Sequence, residues 1–172
     1  MWLENRFDAM PDSDRFWETK SLLEMSQQEW EALCDGCGRC CVIKLEDEDT
    51  GAVYPTSVSC RLLDSATCRC TDYARRHDRV PDCVKLDKDN VSNLGWLPRT
   101  CAYRRLAEGR GLEWWHPLVS GDQRSVIEAG ISVSGRVIPE TKVAEEDLLG
   151  YMIEWQGPHR KPRRRRRKKS VI

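Results

Sequence analysis

Apolar positions along this chain come in short runs, and no single periodicity persists for long. Over residues 13–33 the spacing of Phe16, Trp17, Leu22, Leu23, Trp30 and Leu33 is helical, in two pieces, with Ser13 placed to cap the first. Ser26-Gln-Gln-Glu29 predicts a capping box, in which the Ser hydroxyl and the Glu carboxylate each satisfy an amide that a first helical turn leaves without a partner. The helix it opens carries Trp30 and Leu33 and runs straight into Cys34. The runs 42–45 and 52–54 flank the acidic segment Glu46-Asp-Glu-Asp-Thr-Gly51, which predicts a β-hairpin with Gly51 supplying the positive φ of its turn.

Residues 60–98 are rich in Cys, Pro and charge with weak periodicity, and read as irregular. Thr100 is placed to cap a short helix over 101–108, closed by Gly109. Further on, Ser120 is expected to cap a helix over 122–129. Short strands at 131–133 and 137–138 follow, interrupted by Gly135, and 143–155 reads as a last amphipathic helix. From Pro158 the chain is low in complexity and like-charged, and a disordered tail is expected over 158–172. No fixed-period repeat is visible. The elements add up to an α+β fold: a small, irregular, cysteine-rich metal-binding domain of several short helices and a few short strands. It is expected to occupy 1–157 as one unit, with a metal-binding part at about 30–105 and a Trp-rich part at about 112–157.

Composition adds two constraints. A chain of 172 residues is about one domain and long enough to bury a core, so cysteines need not be all that holds it together. With seven Trp against two Phe, an aromatic core would rest on Trp17, Trp30, Trp96, Trp114, Trp115 and Trp155.

Net charge is zero but lopsided. Nine of the 28 basic residues lie within 160–169, leaving 19 against 28 acids elsewhere, a body of charge −9. An acidic body is not the footprint of a folded nucleic-acid reader, whose basic residues form a stripe on the domain. The 160–169 tail could attract nucleic acid or another polyanion through counterion release, but it has no interleaved aromatics for base stacking. No partner is otherwise indicated.

The N-terminus lacks a secretory apolar core, and no stretch approaches a membrane span of ~18 apolar residues. A cytosolic protein is expected, and that decides how its nine cysteines read. In a reducing compartment a dense set of thiols points to metal, and an odd count argues further against a disulfide scaffold.

Four of the nine fall in Cys34-Asp-Gly-Cys37-Gly-Arg-Cys40-Cys41. The spacing Cys34-x2-Cys37-x2-Cys40 is that of the first three ligands of bacterial ferredoxin runs. Two intervening residues make a tight turn that aims both sulfurs inward, and Gly36 and Gly38 expose amides able to hydrogen-bond metal-bound thiolates. The same unit makes a zinc knuckle, so iron–sulfur and zinc both stay open. Cys40 and Cys41, being adjacent, are expected to point apart. Cys68, Cys70 and Cys83 provide further ligands, with Cys60 and Cys101 as helpers, enough for one or two four-coordinate sites.

Among the histidines, His116 in Trp114-Trp-His-Pro117 is a candidate ligand or proton carrier, though packing between aromatics explains it as well. His77, among Arg75, Arg76, Asp78 and Arg79, reads as solvated. The acidic run 46–49 lacks EF-hand spacing and reads as a solvated turn. No nucleophile elbow, phosphate loop or paired-His motif is present.

The segments Trp30-Glu-Ala-Leu-Cys-Asp-Gly-Cys-Gly-Arg-Cys-Cys41, Cys60-Arg-Leu-Leu63, Thr67-Cys-Arg-Cys70, Val80-Pro-Asp-Cys83, Thr100-Cys-Ala-Tyr103 and Trp114-Trp-His-Pro-Leu-Val-Ser-Gly121 carry a family resemblance. Over residues 15–155 the chain resembles the bacterial CxxCxxCC cysteine-cluster proteins described as zinc- or iron-chelating, specifically the YcgN-like branch. The resemblance implies metal chelation and supplies no reaction, substrate or partner. The wider pattern matches at Cys70, Tyr73 and Arg76, after which Pro81 and Cys83 arrive four residues late.

The expectation is therefore a cytosolic protein with iron–sulfur or zinc centres held by Cys34, Cys37, Cys40, Cys41, Cys60, Cys68, Cys70, Cys83 and Cys101, acting in redox chemistry or metal handling. The alternative is a structural zinc protein serving as an interaction module, its tail on an anionic partner.

Overall fold

The computed structural model describes residues 15–159, so Ser13 and the 160–169 basic run lie outside the described residues. Its helices are all short. α1 (Phe16–Thr19) and a 3-10 turn at Leu22–Glu24 lead to α2 (Gln27–Ala32). The expected capping box opens α2: Ser26 Oγ accepts from the Glu29 amide at 3.2 Å, and Glu29 Oε2 accepts from the Ser26 amide at 2.7 Å.

The hairpin forms from β1 (Val42–Glu46) and β2 (Val53–Ser59), antiparallel. Its acidic turn is a solvated one, as expected. Asp47 Oδ1 accepts from the Asp49 and Thr50 amides and the Thr50 hydroxyl, an Asx turn. β2 runs beyond the expected strand and delivers Cys60 at its end. Between the pairs Val42–Ser59 and Lys44–Pro55 two steps on β1 span four on β2, a bulge. The Thr56 hydroxyl fills it, donating to the Ile43 carbonyl at 2.8 Å and accepting from the Val58 amide at 3.1 Å.

The middle of the chain is largely irregular. β3 (Leu63–Asp64) and β4 (Arg69–Cys70) form a two-residue ribbon, followed by α3 (Arg76–Arg79). The N-cap position of α4 (Ala102–Ala107) falls on Cys101, which makes no side-chain cap hydrogen bond, rather than on Thr100, whose hydroxyl is buried without a partner. Gly109, at φ +71°, closes that turn.

The C-terminal part departs further from expectation. The helix expected over 122–129 is shortened to α6 (Ser125–Glu128), and a separate turn of helix, α5 (Pro117–Ser120), precedes it and ends at Gly121 in the left-handed region. Ser120 closes α5 and accepts from the Asp122 amide across the break. Segment 131–133 is buried but is no strand, since its backbone groups pair with a loop and a guanidinium. β5 (Ile138–Pro139) pairs parallel with the end of β2 and completes a three-stranded sheet of order β1-β2-β5.

No α-helix forms over 143–155. A 3-10 run, Glu145–Tyr151, gives way to chain along the β2 edge, where the Ile153 amide donates to the Pro55 carbonyl at 3.0 Å. Gly150 weakens a helix there. Leu149 is 69% exposed, so no apolar stripe is buried to support one.

Three apolar clusters hold these pieces. The first joins α1, α2, α4 and the Val91–Leu97 turn through Phe16, Trp30, Leu33, Leu97 and Tyr103. Tyr103 packs its ring 4.5 Å from that of Trp30 and donates to the Trp30 carbonyl. The second gathers Cys37, Trp115, Val126, Ala129 and Ile131; the third gathers Val42, Leu63, Cys68 and Val133. Of the expected aromatic core, Trp30 and Trp115 are buried, whereas Trp17, Trp96, Trp114 and Trp155 sit at the rims.

Gly38 has no room for a side chain. Its φ is +76°, and a Cβ there would stand 2.7 Å from Val133 Cγ2 and 3.3 Å from Cys68 Sγ. Gly38→Ala is expected to cost about 2–4 kcal/mol, from the left-handed backbone and overpacking together. Urea unfolding followed by Trp fluorescence measures it, and a loss below about 0.5 kcal/mol would mean that the loop relaxes freely.

Candidate metal centre

The segment Cys34–Cys41 crosses the junction of the three clusters. Leu33 before it belongs to the first, Cys37 within it to the second, and Val42 after it to the third. A buried loop must find partners for its backbone, and here they are specific. Asp35 Oδ1 accepts from the Cys37 amide at 3.0 Å, and the Cys37 carbonyl accepts from the Val133 amide at 2.9 Å. Arg39, 4% exposed, donates Nε to the Ile131 carbonyl at 2.7 Å and its terminal nitrogen to those of Gly130 and Gln156, at 3.2 and 2.7 Å. Burial lowers its pKa, yet a guanidinium stays charged throughout the physiological range. These contacts explain why 131–133 forms no strand.

All nine cysteines are free thiols. Cys40 and Cys41 do not point apart: their sulfurs lie 3.8 Å from each other. They belong to a 3-10 turn, Arg39–Cys41, in which consecutive side chains diverge by roughly 120° rather than the near-opposition of a strand.

Cys40 is the hub of the set. Negative charge on its sulfur is felt by Cys34, Cys37, Cys41, Cys83 and Cys101. Cys60 and Cys70 border this group, both acting on Cys83, and Cys60 acts on Cys41. The late arrival of Cys83 in sequence therefore does not take it away from Cys70. Cys68 stands elsewhere. At φ +53° it packs beneath Gly38 with its sulfur 3.4 Å from Ser132 Oγ, and the charges beside it are carboxylates, Asp64 and Asp35.

Desolvation dominates the thiols. It pushes Cys37 far up, Cys101 to about 12, and Cys60 and Cys83 up as well. Cys34 is exposed as a residue, but its sulfur is packed closely enough that its pKa also rises. Backbone amides two residues ahead oppose this at four sulfurs: Gly36 at Cys34, Arg39 at Cys37, Leu62 at Cys60 and Tyr103 at Cys101. The Leu62 amide is 3.5 Å from its sulfur. Cys40 alone is drawn down, to about 7, first by the Cys41 thiol and then by the Lys44 ammonium, while Cys41 is raised. The two sulfurs thus share one hydrogen bond, which favours a single negative charge on the pair.

This donor set fits a soft metal. Metal–sulfur bonds of about 2.3 Å in a tetrahedron put two sulfurs about 3.8 Å apart, and Cys40 and Cys41 already span such an edge. Among the described residues no three Cys, His, Asp or Glu side chains close on one point. Ligation therefore has to draw further thiols toward this pair.

The histidines are engaged. Buried His116 caps α5: Nδ1 accepts from the Leu118 amide at 3.1 Å, so Nε2 carries the proton and donates to the Leu33 carbonyl at 3.0 Å. No lone pair is left for a metal. His77 is not solvated as expected. Its Nδ1 lies 2.8 Å from the Cys83 carbonyl, and its Nε2 is buried without a partner. Sequence reasoning missed Asp35, Arg39 and Lys44. Their signal is charge inside a segment that apolar residues bound closely on both sides.

A family model described as "CxxCxxCC: Putative zinc- or iron-chelating domain" matches residues 33–102, a stretch containing all nine cysteines. The chain is similar to a UPF0260 protein of Rhodopseudomonas palustris, 58% identical over 92% of this chain and 93% of the relative. It is 62% identical to a UPF0260 protein of Mesorhizobium japonicum over 81% of this chain and 95% of the relative. A third, from Nitrobacter hamburgensis, is 56% identical over 90% of both. No solved structure matches.

His116 yields a pH dependence. Burial holds its folded pKa below the ordinary value. The unfolded chain therefore takes up a proton below about pH 6.5 that the folded chain refuses, and stability present above that pH is lost as pH falls. His116→Gln should cost about 1–3 kcal/mol at pH 8, through buried partners left unsatisfied, and lose less than the wild type between pH 7.5 and 5. Urea midpoints against pH report it, and parallel curves would contradict the assignment.

Proposed function

The chain belongs to the UPF0260 family of CxxCxxCC cysteine-cluster proteins, and from that premise we propose a cytosolic protein built around a thiolate-ligated iron or zinc centre. Cys40 and Cys41 form its first edge, with Cys34, Cys37 and Cys101 as the donors nearest them. Cys60, Cys70 and Cys83 border these five and complete that centre or hold a second. Cys68 serves packing.

The observation that carries this reading is the 3.8 Å Cys40–Cys41 pair, with six of the other seven cysteines gathered around it. The recurring amide two residues ahead of a sulfur supports it, because hydrogen bonds to sulfur stabilise thiolate and tune a bound metal. Such a centre supplies electron transfer if it is an iron–sulfur cluster, and a structural cross-link if it is zinc. The protein holds the donors, excludes water from Cys37 and ties the loop to three core clusters.

Metal and acid-labile sulfide analysis of anaerobically purified protein tests this directly. Iron with comparable sulfide and visible charge-transfer absorption supports the redox reading. Colourless protein with stoichiometric zinc supports the structural one, in which the centre shapes an interaction module. Protein without either overturns the proposal. Two variants sharpen it. Cys37→Ser is expected to lose most of the metal and to melt earlier, since binding free energy is folding free energy in such domains. Cys68→Ser should keep the metal and lose about 1–3 kcal/mol of packing stability. The reverse pattern would mean that the donor assignment is wrong.

A further inference from the structure

Lys44 has cationic chemistry that the fold otherwise leaves uncompensated. It projects from β1 beside the bulge, and its Nζ donates to the Cys40 carbonyl and the Val42 carbonyl, both at 2.9 Å. The ammonium also lies 4.8 Å from the centroid of the Trp96 ring. Among the described residues no carboxylate lies within ion-pair distance of it. An ammonium has three protons to donate, and among the described residues two find acceptors.

A cation drawn from water without a counter-anion is costly. Carbonyl dipoles and an aromatic face offset part of that cost, and a full negative charge offsets the rest. The anionic groups able to supply one here are sulfurs. Cys40, Cys41 and Cys37 all act on Lys44 so as to favour its charged form, against the desolvation that lowers its pKa. The bulge is what makes this possible, because it bends the strand where Lys44 leaves it.

We propose that Lys44 is the fixed counter-cation of the metal centre, positioned to donate its remaining N–H to a ligating sulfur of the Cys40–Cys41 pair. This rests on the metal-centre reading above and deepens it. A positive group built into the wall would offset net negative charge on a loaded centre, such as that of a metal with more thiolates than its own charge. Lys44 touches no substrate and acts through the thiolates, so it is a positioning residue.

The test uses the full chain, stripped of metal and kept reduced without air, with Co(II) as the probe. Its affinity is measured by competition with a chromophoric chelator and its coordination by thiolate-to-cobalt absorption. Lys44→Met keeps the stem against Trp96 and removes the charge; Lys44→Arg keeps the charge. Lys44→Met is expected to weaken Co(II) binding about tenfold or more, the usual effect of removing an outer partner of metal ligands, with its metal-free urea midpoint near that of the wild type. Lys44→Arg should restore most of the affinity, and the difference should persist in high salt because the pair is withdrawn from solvent. If Lys44→Met does not fold, Lys44→Gln takes its place with the same thresholds.

Wild-type chain that takes up no Co(II) overturns the metal-centre reading and this assignment with it. Wild type that binds, beside Lys44→Met within twofold of it, overturns the Lys44 assignment alone. Lys44→Arg as weak as Lys44→Met also overturns it, since side-chain shape rather than charge would then be what matters.

Discussion

The buried guanidinium of Arg39 is the contact on which the rest of this architecture depends. It stands inside the cysteine loop and reaches three carbonyls, those of Gly130, Ile131 and Gln156, all more than 90 residues away in sequence. Its planar, forked donor set can serve several acceptors at once, which an ammonium does less well. No carboxylate lies within ion-pair distance among the described residues, so aligned backbone dipoles and the Trp155 ring at 5.8 Å stand in for one. Remove that fork, and the loop would lose its hold on the C-terminal part. The buried Ile131 carbonyl would be left without a partner, while Arg136 still serves those of Gly130, Ser132 and Val133.

From this clamp follows the distribution of thiol chemistry. Because the loop is held at the meeting of three apolar clusters, desolvation raises Cys37 and Cys101 strongly. Cys40 escapes because its neighbours supply a thiol hydrogen bond and an ammonium. One sulfur is therefore ready to ionise near neutral pH, while those around it keep their protons until something takes them. A metal ion can do so, since coordination requires the thiolate. In the proposed centre Cys40 would be the sulfur best prepared to hold such an ion, and the neighbouring thiols would give up their protons on coordination.

The α+β class, the α2 capping box, the hairpin and the importance of the cysteine loop were all legible in the chain, because each rests on local chemistry. Ser26 and Glu29 lie three residues apart, and Gly51 needs only its own turn. The failures share a cause. Segment 131–133 is apolar and β-branched, yet its amide and carbonyl partners are Cys37 and Arg39, which no local pattern announces. The expected helix over 143–155 lost to an open β2 edge that offered the Ile153 amide a carbonyl. Cys40 and Cys41, being adjacent, were expected to point apart; the left-handed Gly38 starts a 3-10 turn that brings them together. The position of Cys68 beneath Gly38 is likewise a tertiary fact that no local pattern announces.

Short helices and a five-strand set with three two-residue members make a scaffold with little regular hydrogen bonding of its own. Such a fold needs side chains to hold its irregular segments, and here Asp35, Arg39, Thr56 and His116 do so. Three of these four touch the cysteine loop or the residue just before it. Two of the stabilising groups, Asp35 and Arg39, are thus interleaved with four of the thiols within eight residues rather than segregated to a core. Drawing two or three thiols inward would tighten the segment that the three clusters share, and loosening the clusters would release the thiols. In the proposed centre, metal affinity and fold stability would be coupled, because the cysteine loop is also the joint of the core.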